Sequence, residues 1–181
     1  MTTQNRVILV NNAGNAIGTE EKITAHREGK LHRAFSIFIF YRGKKGFELL
    51  LQQRHPNKYH SGGLWTNTCC SHPQPGEETI AAGERRLYEE IGINTKLESI
   101  GEFLYKASLD NQLIEHEYDY VLIGFVKTKT IDINKNEIIR TRWITIPELE
   151  KELAEKPEIY TAWFKPALTI VQTNLKKSAN R

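Results

Sequence analysis

The chain has 181 residues, 39% of them hydrophobic and 26% charged, a balance ordinary for a soluble globular protein of one domain. No apolar run approaches the roughly 20 residues of a membrane span, and the net charge of +3 is too small to point to nucleic acid by itself. Its two cysteines, Cys69 and Cys70, are neighbours and cannot staple distant segments, so reduced thiols are expected. The opening Met1 to Arg6 lacks the charged and apolar regions of a secretion signal, and a cytoplasmic protein is expected.

In chain order, Val7 to Val10 reads as a short buried strand stopped by the turn-rich run Asn11 to Asn15. A polar segment from Glu20 to Lys30, with His26 inside it, leads through Leu31-His32-Arg33 to Ala34–Tyr41, whose β-branched and aromatic content predicts a central strand. Gly43 and Gly46 bracket Lys44-Lys45 as a turn, and Phe47 to Gln53 returns as its partner. Arg54 to Gly63 is a loop rich in His, Pro, Asn and Gly. After Pro73, Pro75 and Gly76, a helix is predicted from about Glu77 to Ile91, with acidic residues at its start, Gly92 as its stop, and Ile80, Leu87 and Ile91 on one stripe. Arg85 with Glu89 and Arg86 with Glu90 are spaced as ion pairs one turn apart. Strands follow over 97–107, 116–126 and 138–144, then a short helix opened by Pro147, a closing helix over 163–176, and a loose tail over about 177–181. The expected fold is α+β in one domain spanning 1–181, a mixed sheet with helices packed on it.

The stretch Thr66-Asn67-Thr68-Cys69-Cys70-Ser71-His72-Pro73 holds both thiols and a histidine. If extended, it turns Cys70 and His72 to one face and Cys69 and Ser71 to the other, so one thiol meets a pocket while the other is packed away. Glu115 and Glu117 bracket His116, and their spacing of two puts both carboxylates on one face of a strand. With His26, His32 and His72 they make five nitrogen and oxygen donors, a set suited to an octahedral divalent ion such as Mn²⁺ or Mg²⁺, with Zn²⁺ or Fe²⁺ as alternatives. Taken singly, each of these residues reads equally well as a polar group at a strand end.

The helix ending Arg85-Arg86-Leu87-Tyr88-Glu89-Glu90-Ile91-Gly92-Ile93 resembles a degenerate Nudix box, with Glu77, Arg85, Leu87, Glu89, Glu90, Gly92 and Ile93 in register. Ser71 stands where that pattern has its leading glycine, and Arg86 where it has a metal-binding glutamate. A cation at that position removes part of a hydrolytic metal site and attracts phosphate instead. Together with Leu31-His32-Arg33-Ala34-Phe35-Ser36, the Thr66–Pro73 stretch and Glu115-His116-Glu117, the chain closely resembles the type I isopentenyl-diphosphate isomerase family, which has the Nudix fold.

The resemblance implies a Nudix-like mixed sheet sandwiched by helices and the interconversion of isopentenyl and dimethylallyl diphosphates. It implies that His26, His32, His72, Glu115 and Glu117 bind the catalytic divalent ion, and that Cys70 and Glu117 form the acid/base pair with help from Tyr105; the expected division has Glu117 protonating the alkene and Cys70, as thiolate, taking the other proton. It further implies that Trp163 faces the hydrocarbon, that Glu90 and the Cys70 carbonyl meet a second ion, Mg²⁺, and that Lys22, Arg54, Lys58 and Arg86 hold the diphosphate. The expected partner is a small isoprenoid diphosphate, with no nucleic acid or membrane, and the protein a monomer or weak homodimer. Two rivals stay open at this point: a Nudix hydrolase of a nucleoside diphosphate derivative, favoured by Glu77, Glu89 and Glu90, and an inert metal-binding or phosphate-binding module.

Overall fold

The elements run β1 (Arg6–Val10), β2 (Ala16–Glu21), α1 (Lys22–Glu28), β3 (His32–Gly43), β4 (Gly46–Arg54), β5 (Trp65–Thr66) and β6 (Cys69–Ser71). They continue with α2 (Thr79–Ile91), β7 (Glu98–Ser108), β8 (Ile114–Val126), β9 (Ile138–Thr145), α3 (Ile146–Glu155) and α4 (Phe164–Ala179). This computed structural model describes residues 5–44 and 46–179, without the side chains of Ser178 and Ala179. Met1 to Gln4 of the opening, Lys45 of the expected turn, and Asn180 and Arg181 of the tail lie outside the described residues.

One mixed sheet is built around β3, as its unbroken apolar run requires: a strand buried on both faces needs cover from both sides. β3 pairs antiparallel with β4 through Phe40↔Leu49 and with β6 through Ser36↔Cys70, and parallel with β8 through His32↔Glu117 to Tyr41↔Val126. β7 pairs antiparallel with β8, and β9 with β4. Alternation then sorts the core into two layers. Phe35, Ile37 and Ile39 of β3, Leu50 of β4 and Leu122 of β8 pack with Ala82, Leu87 and Ile91 of α2. Phe38, Phe40, Leu49, Leu51, Val121 and Ile123 point the other way and pack with Leu149 of α3 and Phe164, Leu168 and Val171 of α4. The sheet is sandwiched between helices.

Three details differ from the sequence reading. The polar segment before β3 contains the helix α1, closed by Gly29 in the left-handed region (φ 64°). Ile80 is 40% exposed, because it sits in the first turn of α2, outside the cluster that Ala82, Leu87 and Ile91 join. α4 continues through 179, so the backbone over 177–179 that was expected to be loose is helical. The last turn of β9 into α3 is fixed by a capping box in which Thr145 Oγ1 accepts from the Glu148 amide while the Glu148 carboxylate accepts from Thr145. No helix among the described residues is long and apolar enough to cross a membrane.

Leu122 is fully buried between β3 and α2. Leu122→Ala is expected to cost about 2–5 kcal/mol of stability, through lost transfer energy and the cavity left behind. A denaturation midpoint lowered at unchanged slope would show it; an unchanged midpoint would mean that the α2 layer is not closely packed.

Candidate active site

Strand register assembles the site. Side chains of residues directly opposite one another in a sheet lie on the same face. His32 is opposite Glu117 across the parallel β3–β8 pair, Tyr105 is opposite Glu117 across β7–β8, and Cys70 is opposite Ser36 across β6–β3. A period of two adds Glu115 and Asp119 to that face. Cys69 turns the other way and is fully buried in the α2 cluster, while Cys70 and His72 line a pocket with Arg54, Lys58, His60, Glu115, Glu117 and Trp163. Ser71, expected to face away with Cys69, also reaches the pocket wall, because β6 ends there and the strict alternation ends with it.

Histidines converge on the two carboxylates. His26 Nε2 lies 3.3 Å from Glu115, His72 Nε2 2.9 Å and His32 Nε2 3.5 Å from Glu117 Oε1, and the Tyr105 hydroxyl donates to Glu117 Oε2 at 2.6 Å. His26 Nδ1 faces the Lys22 carbonyl at 2.7 Å and His32 Nδ1 the Lys30 carbonyl at 2.8 Å. A carbonyl only accepts, so both Nδ1 atoms carry protons; His26 Nε2 is hydrogen-bonded to Glu115 at 3.3 Å and donates to it when protonated, and each Nε2 is the atom left for a cation when the ring is neutral. His32 Nε2 and Glu115 Oε2 are buried with no hydrogen-bond partner, which is costly unless something cationic joins them. The ligand atoms of His26, His32, His72 and Glu117 all lie within 4.8 Å of one another, and so do those of His26, His60 and Glu115. The two groups share His26, so of the five expected ligands four gather in the first while Glu115 falls in the second; the nitrogen and oxygen donors of the first suit a divalent ion.

Charge states follow from burial and these neighbours. Burial would raise the Glu115 carboxyl, yet His26 and His60 hold it well below its ordinary value. Burial and the Glu115 charge would raise Glu117, and His32 and His72 outweigh them and keep it low. Burial and Glu117 hold Asp119 well above the usual range, so it is the neutral member of the carboxyl row and accepts from Ser36 Oγ at 2.8 Å. Burial pushes the Cys70 thiol up to about 12 against the pull of Arg54, whose Nη1 lies 3.7 Å from the sulfur. The thiolate expected for Cys70 is therefore not the resting form of the ligand-free protein: the proton sits on sulfur while Glu117 is ionised.

Burial also pulls His72 down to about 4, more strongly than Glu117 raises it. Between pH 6.5 and 4 the unfolded chain thus binds a proton that the folded protein lacks, so the His72 contribution to stability rises with pH across that window and then levels. The shift corresponds to about 3 kcal/mol. His26, raised because Glu115 overcomes its burial, has the opposite sign, and its contribution is lost only as pH rises above 6.5. Asp119, raised by burial, keeps a proton in the folded protein that the unfolded chain loses above its ordinary value, so its contribution opposes that of His72 in the same window. The His72 contribution is therefore read as a difference: wild type is expected to lose stability relative to His72→Asn as pH falls from 6.5 to 4, and a difference that does not change over denaturation at three pH values in the window would contradict it.

Lys22, Arg54 and Lys58 line the pocket, whereas Arg86 lines the adjoining depression that Lys22, Ser71 and His72 also border. Lys22, at the start of α1, lies over the Tyr59 ring at 4.7 Å, and the Arg54 guanidinium lies over the Trp163 ring at 5.4 Å. Lys58 and Arg86 both pair with Glu137. Trp163 is buried, its Nε1 donating to Asn67 Oδ1 at 3.2 Å. Glu90 is buried on α2, bound by Arg86 and by the Gln52 amide at 3.3 Å. The three carboxylates of the Nudix pattern are all held by arginines of the same helix: Glu77 by Arg85, Glu89 by both Arg85 and Arg86, and Glu90 by Arg86.

The sequence reading missed His60, Asp119 and Glu137. His60 and Glu137 lie in connections, where no periodicity announces a contact. Asp119 was visible as the third member of the Glu115, Glu117, Asp119 alternation.

Residues 30–164 match the NUDIX domain family model, so the chain belongs to the Nudix family. Solved structures agree at the level of fold. DR0079 from Deinococcus radiodurans superposes with a TM-score of 0.72 over 92% of this chain and 98% of its own at 19% identity, and a MutT protein from Methanosarcina mazei with 0.59 over 78% and 95% at 23% identity. Within that family the sequence is 49% identical to an isopentenyl-diphosphate Delta-isomerase of Photobacterium profundum, covering 97% of this chain and 98% of the relative. It is 46% identical to one of Serratia proteamaculans, covering 92% and 89%. The chain belongs to the isopentenyl-diphosphate Delta-isomerases.

Proposed function

We propose that this protein converts isopentenyl diphosphate to dimethylallyl diphosphate by moving a proton onto one end of the alkene and removing another from the far side, with Cys70 and Glu117 as the acid/base pair. The observation that carries this reading is that both residues line one pocket that Trp163 and the cations Lys22, Arg54 and Lys58 also line. Shifting a double bond by one carbon needs two proton-handling groups flanking the substrate, and positioned groups of this kind contribute about 10²–10⁴-fold each. The pair holds one transferable proton, resting on sulfur, and Tyr105 extends the Glu117 side by its 2.6 Å hydrogen bond. The indole face stabilises the tertiary cation between the two transfers without trapping it.

Lys22, Arg54, Lys58 and Arg86 are the diphosphate contacts in this reading. Lys58 and Arg86, which share Glu137 in the ligand-free protein, exchange that carboxylate for phosphate oxygens. His26, His32, His72, Glu115 and Glu117 would hold a divalent ion, Mn²⁺ or Mg²⁺ with Zn²⁺ or Fe²⁺ as alternatives, and the orphaned His32 Nε2 and Glu115 Oε2 support that fit. Glu90 and the Cys70 carbonyl would meet a second ion, Mg²⁺. Bound there, such ions would neutralise diphosphate charge, with Glu117 oriented by its place among the ligands. The reading includes a monomer or weak homodimer in the cytoplasm, with a small isoprenoid diphosphate as its partner.

Purified protein incubated with isopentenyl diphosphate and Mg²⁺ or Mn²⁺ is expected to form an acid-labile allylic diphosphate without releasing phosphate. Phosphate release would restore the hydrolase reading, against which the arginine-bound Glu77, Glu89 and Glu90 stand. Metal binding with no turnover would leave an inert binding module.

A further inference from the structure

We infer that His60 is a fourth histidine ligand of the divalent ion, joining His26, His32 and His72 at the Glu115–Glu117 cluster; this rests on the metal reading of that cluster. His60 is 2% exposed, and its Nε2 lies 3.2 Å from Glu115 Oε1 but out of line for a hydrogen bond. That nitrogen has no hydrogen-bond partner, and neither has the neighbouring Glu115 Oε2. The ligand atoms of His60, His26 and Glu115 fall within 4.8 Å of one another, and His26 and Glu115 are already assigned to the ion. His60 Nδ1 is paired with Ser61 Oγ at 3.1 Å, an arrangement that orients the ring and leaves Nε2 for the cluster.

The loop carrying His60 is built to hold it there. Arg54 donates to the His60 carbonyl at 3.0 Å and the Ser61 carbonyl at 3.2 Å, the Ser61 amide donates to Asp110 at 2.9 Å, and Asn111 Nδ2 donates to the Tyr59 carbonyl at 3.1 Å. A Cβ at Gly62 would lie 2.3 Å from the Pro56 carbonyl oxygen, so the loop closes tightly on itself just after the histidine. Ser61 adopts φ 52°, a left-handed conformation that a side-chain-bearing residue keeps only where its surroundings impose it. The ring also meets Trp163 edge-on at 5.9 Å. Packing alone would be served by an apolar residue and does not account for a buried nitrogen set 3.2 Å from a carboxylate without a hydrogen bond.

With His60 the two groups, joined through their shared His26, hold four imidazoles and two carboxylates, which a single ion would draw together. Imidazole nitrogen shifts preference away from Mg²⁺ toward Mn²⁺, Fe²⁺ or Zn²⁺. Chelator-stripped protein titrated with Mn²⁺, with free ion followed by electron paramagnetic resonance, tests this on wild type, His60→Ala and His32→Ala. His60→Ala is expected to weaken Mn²⁺ at least about tenfold, the scale on which even outer partners of a metal site act, with far-UV circular dichroism unchanged. Pulsed resonance on the Mn²⁺-loaded wild type should count four coordinated imidazoles, and that count decides the matter should the variant fail to fold. Three imidazoles, or wild-type affinity in His60→Ala while His32→Ala loses the ion, would overturn the assignment of His60. Wild-type affinity in both variants would overturn the metal reading of the cluster itself.

Discussion

Cys70→Ala is expected to lower kcat by about 10²–10⁴-fold and to abolish solvent deuterium exchange into the substrate, while diphosphate binding survives. The reason lies in the position of the sulfur. Cys70 lines the pocket beside Arg54 and Trp163, and its proton, held by burial with a pKa near 12, is the one the site can transfer. Removing it leaves the basic residues untouched, so KM for the diphosphate should move far less than kcat. Cys69→Ala is the matched control, since that sulfur is buried in the α2 layer on the opposite face and touches no substrate. It should keep most activity and lose only some stability. Steady-state kinetics with an exchange assay separates the two variants, and wild-type turnover by Cys70→Ala would remove the proposed role.

Glu117→Gln should be the more damaging substitution, because one carboxylate serves two purposes. It lies against His32 and His72, with which it would hold the ion, and accepts from the Tyr105 hydroxyl, through which it would exchange a proton. The amide keeps the shape but loses the charge, so both the divalent ion and the proton acceptor are weakened together. Metal affinity and exchange are expected to fall in the same variant. Tyr105→Phe isolates the second purpose: it deletes only the 2.6 Å hydrogen bond to Oε2 and should slow turnover while metal binding holds. Titration of Mn²⁺ against both proteins, alongside turnover, checks the division. Equal metal affinity in Glu117→Gln and wild type would show that Glu117 is no ligand.

Much of the site was legible because it is carried by strands. The alternation over 115–119 named the two carboxylates, and the same period separated Cys70 from Cys69, as the structure bears out by placing Cys69 in the α2 cluster and Cys70 on the pocket wall. The limits of the α2 helix could be approximated from Gly92 and the acidic start, and the ion pairs Arg85–Glu89 and Arg86–Glu90 from spacing alone. What could not be read is what depends on register between distant segments. The parallel pairing that sets His32 beside Glu117 joins residues 85 positions apart, and only the completed sheet fixes it. His60 owes its place to a loop tied down by Arg54 and Asp110, contacts without any local pattern. The charge of Cys70 was misjudged for a related reason: the sequence shows a histidine two residues away, whereas the folded protein buries the thiol and turns that histidine toward Glu117.

The most direct test of a sulfur and a carboxyl exchanging protons across one pocket is to follow isopentenyl diphosphate by nuclear magnetic resonance in deuterated water with metal-loaded wild-type protein. Deuterium should enter both the new methyl group and the carbon next to the diphosphate-bearing one, with the diphosphate intact. Isomerisation without any solvent label, or phosphate appearing in place of the allylic product, would contradict it.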